Sequence, residues 1–342
     1  MIYAPVIIPT LCRADKLKRC ITSLQNNEYA IYTELYISLD YPLLEKHWDG
    51  YKQIKEYLHA GIDGFAKVII LEQTSNQGWY GNYKLLREKV YENHSCYIFT
   101  EDDNEFSKDY LEYMDKCLTK YEQDMDVVAV SGYSYPIDWK AGGNNVLFIE
   151  SYFSAWGYGT WRSKEEIMLQ QINIKQFENY LYDNKKMIKL YHISKNQYCN
   201  FIKGMVEYTN MLLEGEKVLT VDLAYAMYQI FENKYMIFPT LSKVRNTGYG
   251  SEGVHCSKID NKKENSYSHR QYDYSRQPID ESASWGEVIA GTKQQRNQWN
   301  NLMERFFIVS RRELWGSIVM QMCCGLFGRK YVARLCRRFK KV

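Results

Sequence analysis

The sequence predicts an α/β protein built on a mostly parallel central sheet with helices on both faces. Three observations carry this expectation. Short apolar runs alternate with helix-like segments through the first ~130 residues. The helix-like segments are one-sided, with apolar residues at i, i+3, i+4 and i+7. At 342 residues and 45% apolar content, the chain can bury a large core without disulfides or metals.

Residues 5–8 are the first apolar run, and Leu17, Cys20, Ile21 and Leu24 form the first helical stripe. Residues 35–39 read as the second strand, ending at Asp40. Residues 51–58 read as a helix and 67–71 as a strand. The segment 83–91 carries Leu86 and Val90 on one helical face. Residues 95–100 form a strand that runs into Glu101-Asp102-Asp103. Leu111, Met114, Leu118 and Tyr121 repeat at helical spacing, and 126–131 returns to strand. A turn-rich stretch over 137–145 precedes a strand at 146–149. Residues 167–210 are mainly helical, 222–232 a helix and 235–238 a short strand. The Gly-, Ser-, Asn- and Lys-rich stretch 247–280 reads as a mobile loop. The organisation expected is one α/β domain over 1–280, with halves at 1–131 and 132–280, and a helical C-terminal extension over 281–342.

Composition narrows the class. Aromatic residues at 15%, charged residues at 25% and only 6 prolines exclude wholesale disorder and long Pro-rich linkers. The nine cysteines are scattered without a Cys-x-x-Cys pair, which argues against a disulfide framework or zinc ribbon and fits a reducing compartment. The apolar start lacks a basic leader region and reads as a strand, not a signal peptide. No window has the ~18–20 uninterrupted apolar residues of a membrane span. The expected place is the cytoplasm.

The net charge of +3 is unevenly placed. Residues 329–342 hold seven Lys and Arg and no acid, so the rest has 37 basic against 41 acidic residues, about −4. The excess belongs to the tail. Apolar residues 314–327, followed by that basic cluster, fit an interfacial helix with a polybasic anchor on the inner face of a membrane. The alternatives are a packed C-terminal helix with a solvated basic end, or a nucleic-acid arm. The body has no basic stripe to support the arm, so no nucleic-acid partner is expected.

In parallel sheets ligands sit beyond the carboxyl ends of the strands, which makes Asp40 and Glu101–Asp103 candidate site residues. Carboxylates there can hold Mg²⁺ or Mn²⁺, which bind through one or two acids plus substrate phosphates. The other reading is a solvated loop that also caps the helix near Asp109.

These residues resemble GT-A fold glycosyltransferases. Tyr97-Ile98-Phe99-Thr100-Glu101-Asp102-Asp103-Asn104-Glu105-Phe106, followed by Asp109-Tyr110-Leu111, is similar to the strand, Glu-Asp-Asp and helix of N-acetylglucosaminyltransferase I and related bacterial polysaccharide glycosyltransferases. Pro5 to Thr10 with Arg13 resembles their nucleotide-binding first strand and turn, and Ser38-Leu39-Asp40 the strand end that recognises uracil. Gly78-Trp79-Tyr80 and Tyr83-Lys84 resemble a Gly-aromatic segment and its helix. Residues 153–161, with Trp156-Gly157, resemble the acceptor and donor-sugar loop. Residues 244–255 resemble a late Asn-x-Gly…His loop.

The resemblance implies a GT-A, Rossmann-like fold, a UDP-sugar donor and a divalent metal. It assigns Asp103 to the metal, with His255 as a second ligand, and Asp102 to the ribose or donor sugar, with Glu101 in support. Thr10, Arg13, Asp40, Gly78, Lys84, Trp156 and Gly157 are assigned to the nucleotide sugar. An Arg beside a strand-end turn suits a diphosphate, because its fork donates two parallel bonds; a plain surface charge is the alternative. Asp40 could instead close the turn with Pro42. Direct displacement needs a base for the acceptor hydroxyl. Asp222 is the candidate, with an N-cap role as its alternative and Glu214 or Glu216 as substitutes.

The expected function is therefore inverting, metal-dependent transfer from a UDP-sugar to a glycan or lipid-linked glycan acceptor in surface polysaccharide synthesis. A sugar-1-phosphate nucleotidyltransferase and a non-catalytic membrane-associated scaffold are the competitors. A dinucleotide oxidoreductase is disfavoured because no Gly-x-Gly-x-x-Gly follows the first strand, and no Gly-x-Ser-x-Gly marks a serine hydrolase.

Overall fold

The structure, a computed structural model, describes residues 1–137, 139, 143–206, 212–213, 216–217, 220–248 and 272–339. The strands are β1 (Val6–Thr10), β2 (Glu34–Leu39), β3 (Lys67–Glu72), β4 (Cys96–Phe99), β5 (Asn104–Phe106), β6 (Val127–Ser131), β7 (Val146–Ile149), β8 (Tyr158–Trp161), β9 (Leu212–Leu213), β10 (Glu216–Lys217), β11 (Tyr235–Pro239) and β12 (Val244–Asn246). The helices are α1 (Ala14–Gln25), α2 (Trp48–His59), α3 (Gly78–Val90), α4 (Tyr110–Lys120), α5 (Arg162–Gln171), α6 (Ile174–Tyr182), α7 (Asn184–Ile193), α8 (Lys195–Val206), α9 (Val221–Glu232), α10 (Lys293–Phe306), α11 (Arg311–Phe327) and α12 (Arg329–Phe339).

Eight strands form one sheet in the order β3-β2-β1-β4-β8-β6-β11-β7. β8 runs antiparallel to both β4 and β6, and β7 antiparallel to β11; the other six strands share one direction. Alternation along each strand feeds two cores. Ile7, Tyr36, Tyr97 and Phe99 point to the face covered by α3 and α5–α9. Val6, Ile8, Leu35, Ile37, Cys96 and Ile98 point to the face covered by α1, α2 and α4. The periodic stripe expected in α1 is that buried face, since Leu17, Cys20, Ile21 and Leu24 are all fully buried.

The parallel strands β1 to β4 lie where the sequence puts them. Three short strands correct it. Residues 153–161 contain β8, a strand between β4 and β6 and not only a loop. β5 and β12 pair antiparallel across the chain, with Asn104 opposite Asn246. The helix of the 83–91 segment begins earlier, at Gly78. The expected 247–280 loop falls largely outside the described residues, but Tyr274 and Gln277 near its end are buried. The expected C-terminal extension carries α10, α11 and α12 from Lys293 on, and its Trp299, Met303, Cys324 and Val332 join the same core as Ile7 and Tyr36.

One buried acid ties the first strand to its flank. Asp115 of α4 is fully buried and accepts from the Ala4 N–H at 3.0 Å through Oδ1, while Oδ2 has no hydrogen-bond partner among the described residues. Burial pushes its pKa up to about 8 against the pull of that hydrogen bond. A carboxyl held above its unfolded value contributes stability that is complete below the ordinary aspartate range and lost as pH rises through the folded value. Stability should therefore fall between pH about 4 and about 8. Asp115→Asn, which mimics the neutral acid, should remove that slope and gain on the order of a few kcal/mol at the alkaline end. Urea denaturation at acid and mildly alkaline pH checks this; a variant with the parent's slope rules the account out.

Candidate active site

Because β2, β1 and β4 are parallel neighbours, Asp40, Thr10 and Glu101–Asp103 emerge at one edge of the sheet. Thr10, the last residue of β1, donates its hydroxyl to Asp102 Oδ2 at 2.7 Å. Arg13, in the turn before α1, grips two acids of the triplet, pairing with Asp102 Oδ1 and Asp103 Oδ2. Burial alone would lower the guanidinium pKa, but the charges of Asp102, Asp103 and Glu101 outweigh it and keep it protonated. Asp102 is held above its ordinary value by burial, with Arg13 opposing.

Asp103 is fixed from the other side by the end of β12. Asn246 donates to Asp103 Oδ1 at 2.8 Å, and the Thr247 N–H and hydroxyl both donate to the Asp103 carbonyl at 2.8 Å. Lys16 of α1 donates to the Thr247 carbonyl at 2.6 Å. Gly248 sits so close that a Cβ there would lie 2.0 Å from Asp103 Oδ2.

Asp222 lies in the first turn of α9, and it is not the N-cap. Thr220 fills that role, its side chain accepting from the Leu223 N–H. Asp222 is therefore spared that bond. Asp222 is an exposed residue, yet the protein crowded around its carboxyl desolvates the charge and pushes its pKa up to about 6. Asp222 is also near the triplet. Glu101 is held above the ordinary glutamate range first by burial and then by the charges of Asp103 and Asp222, with Arg13 opposing.

The other expected residues are spread around this edge. Asp40 is buried and accepts from the N–H groups of Tyr41 (2.9 Å) and Gln77 (2.8 Å), with the Asn76 amide on its second oxygen. It thus closes its own turn and anchors the start of α3. Gly78 has φ +67°, a backbone conformation that favours glycine at the entry to that helix. Lys84 points outward and pairs with Glu88 at 3.6 Å. Trp156 packs edge-on against Tyr133 and Tyr274. Gly157, at φ +65°, lets the start of β8 pass Tyr110, Phe106 and Val244. Of the proposed base substitutes, Glu216 falls in β10 and Glu214 lies outside the described residues, as does His255.

Two residues escaped sequence reasoning. Asn246 lies in a quoted segment, but only the β5–β12 register reveals it as a clamp on Asp103. Trp79 is the other: it is 45% exposed, stacked on Tyr83 at 5.8 Å and edge-on to Phe99 at the end of β4.

The donor set fits a divalent cation. Asp102 Oδ1 and Asp103 Oδ2 already hold one cationic group between them, the Arg13 guanidinium. Hard oxygen ligands of this kind suit Mg²⁺ or Mn²⁺. Among the described residues no three of His, Cys, Asp and Glu converge on one ion, so donor phosphates and water would supply the remaining ligands.

A mostly parallel sheet with acids at its carboxyl edge is the arrangement expected of a GT-A fold. The glycosyl transferase family 2 model matches residues 6–180, half of the chain, and the chain belongs to that family. Among solved structures it is similar to S. aureus TarS, at 13% identity over 51% of this chain and 30% of that one, with a TM-score of 0.33. It is likewise similar to the mannosyltransferase PcManGT from Pyrobaculum calidifontis, solved with GDP-Man and Mn²⁺. There the identity is 15% over 50% of this chain and 46% of that one, with a TM-score of 0.32. The chain thus spans less than half the length of either structure. No curated protein matches it.

Proposed function

We propose that this glycosyltransferase is inverting and metal-dependent, and moves a sugar from a UDP-sugar to a hydroxyl of a glycan acceptor, lipid-linked and presented at a membrane surface, in surface polysaccharide synthesis. The observation that carries the reading is the closeness of Asp222, an exposed residue at the start of α9, to the acidic edge, with its carboxyl raised toward neutrality. A base with that pKa is ionised at neutral pH and still accepts a proton readily.

In this reading Asp103 holds the metal and Asp102 the ribose or sugar, with Thr10 keeping Asp102 in place. A cation bound there would neutralise charge developing on the departing diphosphate. Arg13, released from the acids, donates its fork to the diphosphate oxygens. Asp40 and its turn face the uracil, and the open face of Trp79 offers an apolar platform to the donor. Asp222 takes the proton of the acceptor hydroxyl as the new bond forms on the opposite face of the anomeric carbon. Family membership sets aside the nucleotidyltransferase alternative.

Thermal shift tests the donor assignment, since a ligand bound only by the folded state raises apparent stability by mass action. UDP with Mn²⁺ should raise Tm, UDP alone should do so less, and GDP with Mn²⁺ should leave it unchanged. A shift with GDP and none with UDP would overturn the UDP assignment.

A further inference from the structure

α11 is apolar on both of its faces. One face is spent on the core: Ser317 and Cys324 are buried, and Leu314, Ile318, Met320 and Cys323 pack against the central cluster. The opposite face carries Trp315, Val319, Met322 and Leu326 at i, i+4, i+7 and i+11, a single stripe along the helix. These four are 66%, 54%, 64% and 75% exposed, and exposed Phe327 at the end of α11 and Tyr331 of α12 add to the apolar surface. A helix apolar all round is normally buried all round. This one leaves half its circumference open.

α12 adds charge beside the stripe. It is no free arm: Val332 and Ala333 are buried, the Arg329 N–H donates to the Tyr182 hydroxyl at 2.9 Å, and its Nε donates to Glu178 at 2.7 Å. Held that way, α12 exposes Lys330, Tyr331, Arg334, Arg337 and Arg338. Arg311 and Arg312 are exposed at the other end of α11. The two helices hold one acid, Glu313, which is occupied by Lys203 and by capping Ser310. Among the described residues no helix is long and apolar enough to cross a membrane.

We propose that α11 and α12 form a docking face for an anionic lipid surface, with the 315–326 stripe entering the acyl boundary and the α12 cations meeting the headgroups. Charge decides among occupants. A second copy packed stripe to stripe would bury the same patch against itself, and with Arg311 and Arg312 at one end and α12 at the other, either packing direction brings cations onto cations, whereas anionic lipid satisfies apolar and cationic groups at once. Trp315 and Tyr331 are of the residue types that favour the boundary between hydrocarbon and water. The inference rests on the proposed membrane-side acceptor, and it is read out separately from transfer.

The test is flotation of the full chain with vesicles. Equimolar phosphatidylcholine and phosphatidylglycerol vesicles should carry it upward, pure phosphatidylcholine much less, and high salt should weaken the binding. Each basic residue near such a surface is worth about a fivefold factor in partitioning, so neutralising three with Arg334→Gln/Arg337→Gln/Arg338→Gln should cost on the order of a hundredfold. Trp315→Ser/Leu326→Ser/Phe327→Ser should also abolish flotation. These side chains are exposed, so both variants should melt as the parent does and keep its UDP thermal shift, which isolates the docking face from the donor site. A parent that stays at the bottom of the gradient, variants that float like it, or a dimer that hides the stripe and does not float would each overturn the proposal.

Discussion

Asp222→Asn should leave a protein that binds UDP with Mn²⁺ as the parent does and transfers sugar roughly 10²–10⁴-fold more slowly, the range expected for loss of a general base. The amide keeps the size of the side chain and cannot take a proton. Donor affinity should hold because the groups assigned to the nucleotide, Thr10, Arg13, Asp40 and Asp102–Asp103, belong to β1, β2 and β4 and their turns and not to α9. The same residue predicts a pH profile. With a pKa of about 6, Asp222 is protonated in acid, so kcat/KM should fall about tenfold per pH unit below that point. Stability moves the opposite way. A carboxyl whose folded pKa is raised loses stability as pH rises through it, so the Asn variant should melt no lower than the parent at neutral pH. A variant that retains turnover, or loses both turnover and UDP binding, removes Asp222 from this role.

What the sequence reveals follows from which contacts are local. β2 and β4 are apolar runs that end directly in acids, so Asp40 and Glu101–Asp103 could be placed on one edge from pattern alone, while Thr10 and Arg13 follow from the resemblance of their strand and turn to GT-A enzymes. β8 was illegible because Tyr158-Gly159-Thr160-Trp161 is short and glycine-bearing, and its insertion between β4 and β6 is set by partners far along the chain. The β5–β12 ribbon joins three-residue strands across almost half the chain, which hides the clamp from Asn246 onto Asp103. Arg13 shows a subtler limit. Its type and position suit a diphosphate, but only the folded arrangement reveals its pairing with Asp102 and Asp103. The C-terminal charge was plain in the sequence, yet its placement on a packed helix, not a free arm, depends on Tyr182 and Glu178 of α6.

Gly248→Ala should weaken donor binding with Mn²⁺ by roughly 10–100-fold, although it removes no charge and touches no nucleotide. A Cβ at this position would lie 2.0 Å from Asp103 Oδ2 and 2.8 Å from the Asp103 carboxyl carbon. The carboxylate cannot yield freely. Asn246 holds Oδ1, Arg13 holds Oδ2, and Thr247 fixes the Asp103 carbonyl with two bonds. Any rotation that clears the methyl group must break at least one of these, and a charge-assisted bond of this kind is worth about 1.5–3 kcal/mol, the origin of the predicted factor. Alanine elsewhere gives the control. Gly286→Ala meets nothing within 4 Å and should bind as the parent does. Titration of UDP in the presence of Mn²⁺, followed by calorimetry, separates the outcomes. Loss in Gly248→Ala matched by loss in Asp103→Ala places Asp103 at the donor phosphates, whereas parent-like affinity in both would take the acidic edge out of donor binding altogether.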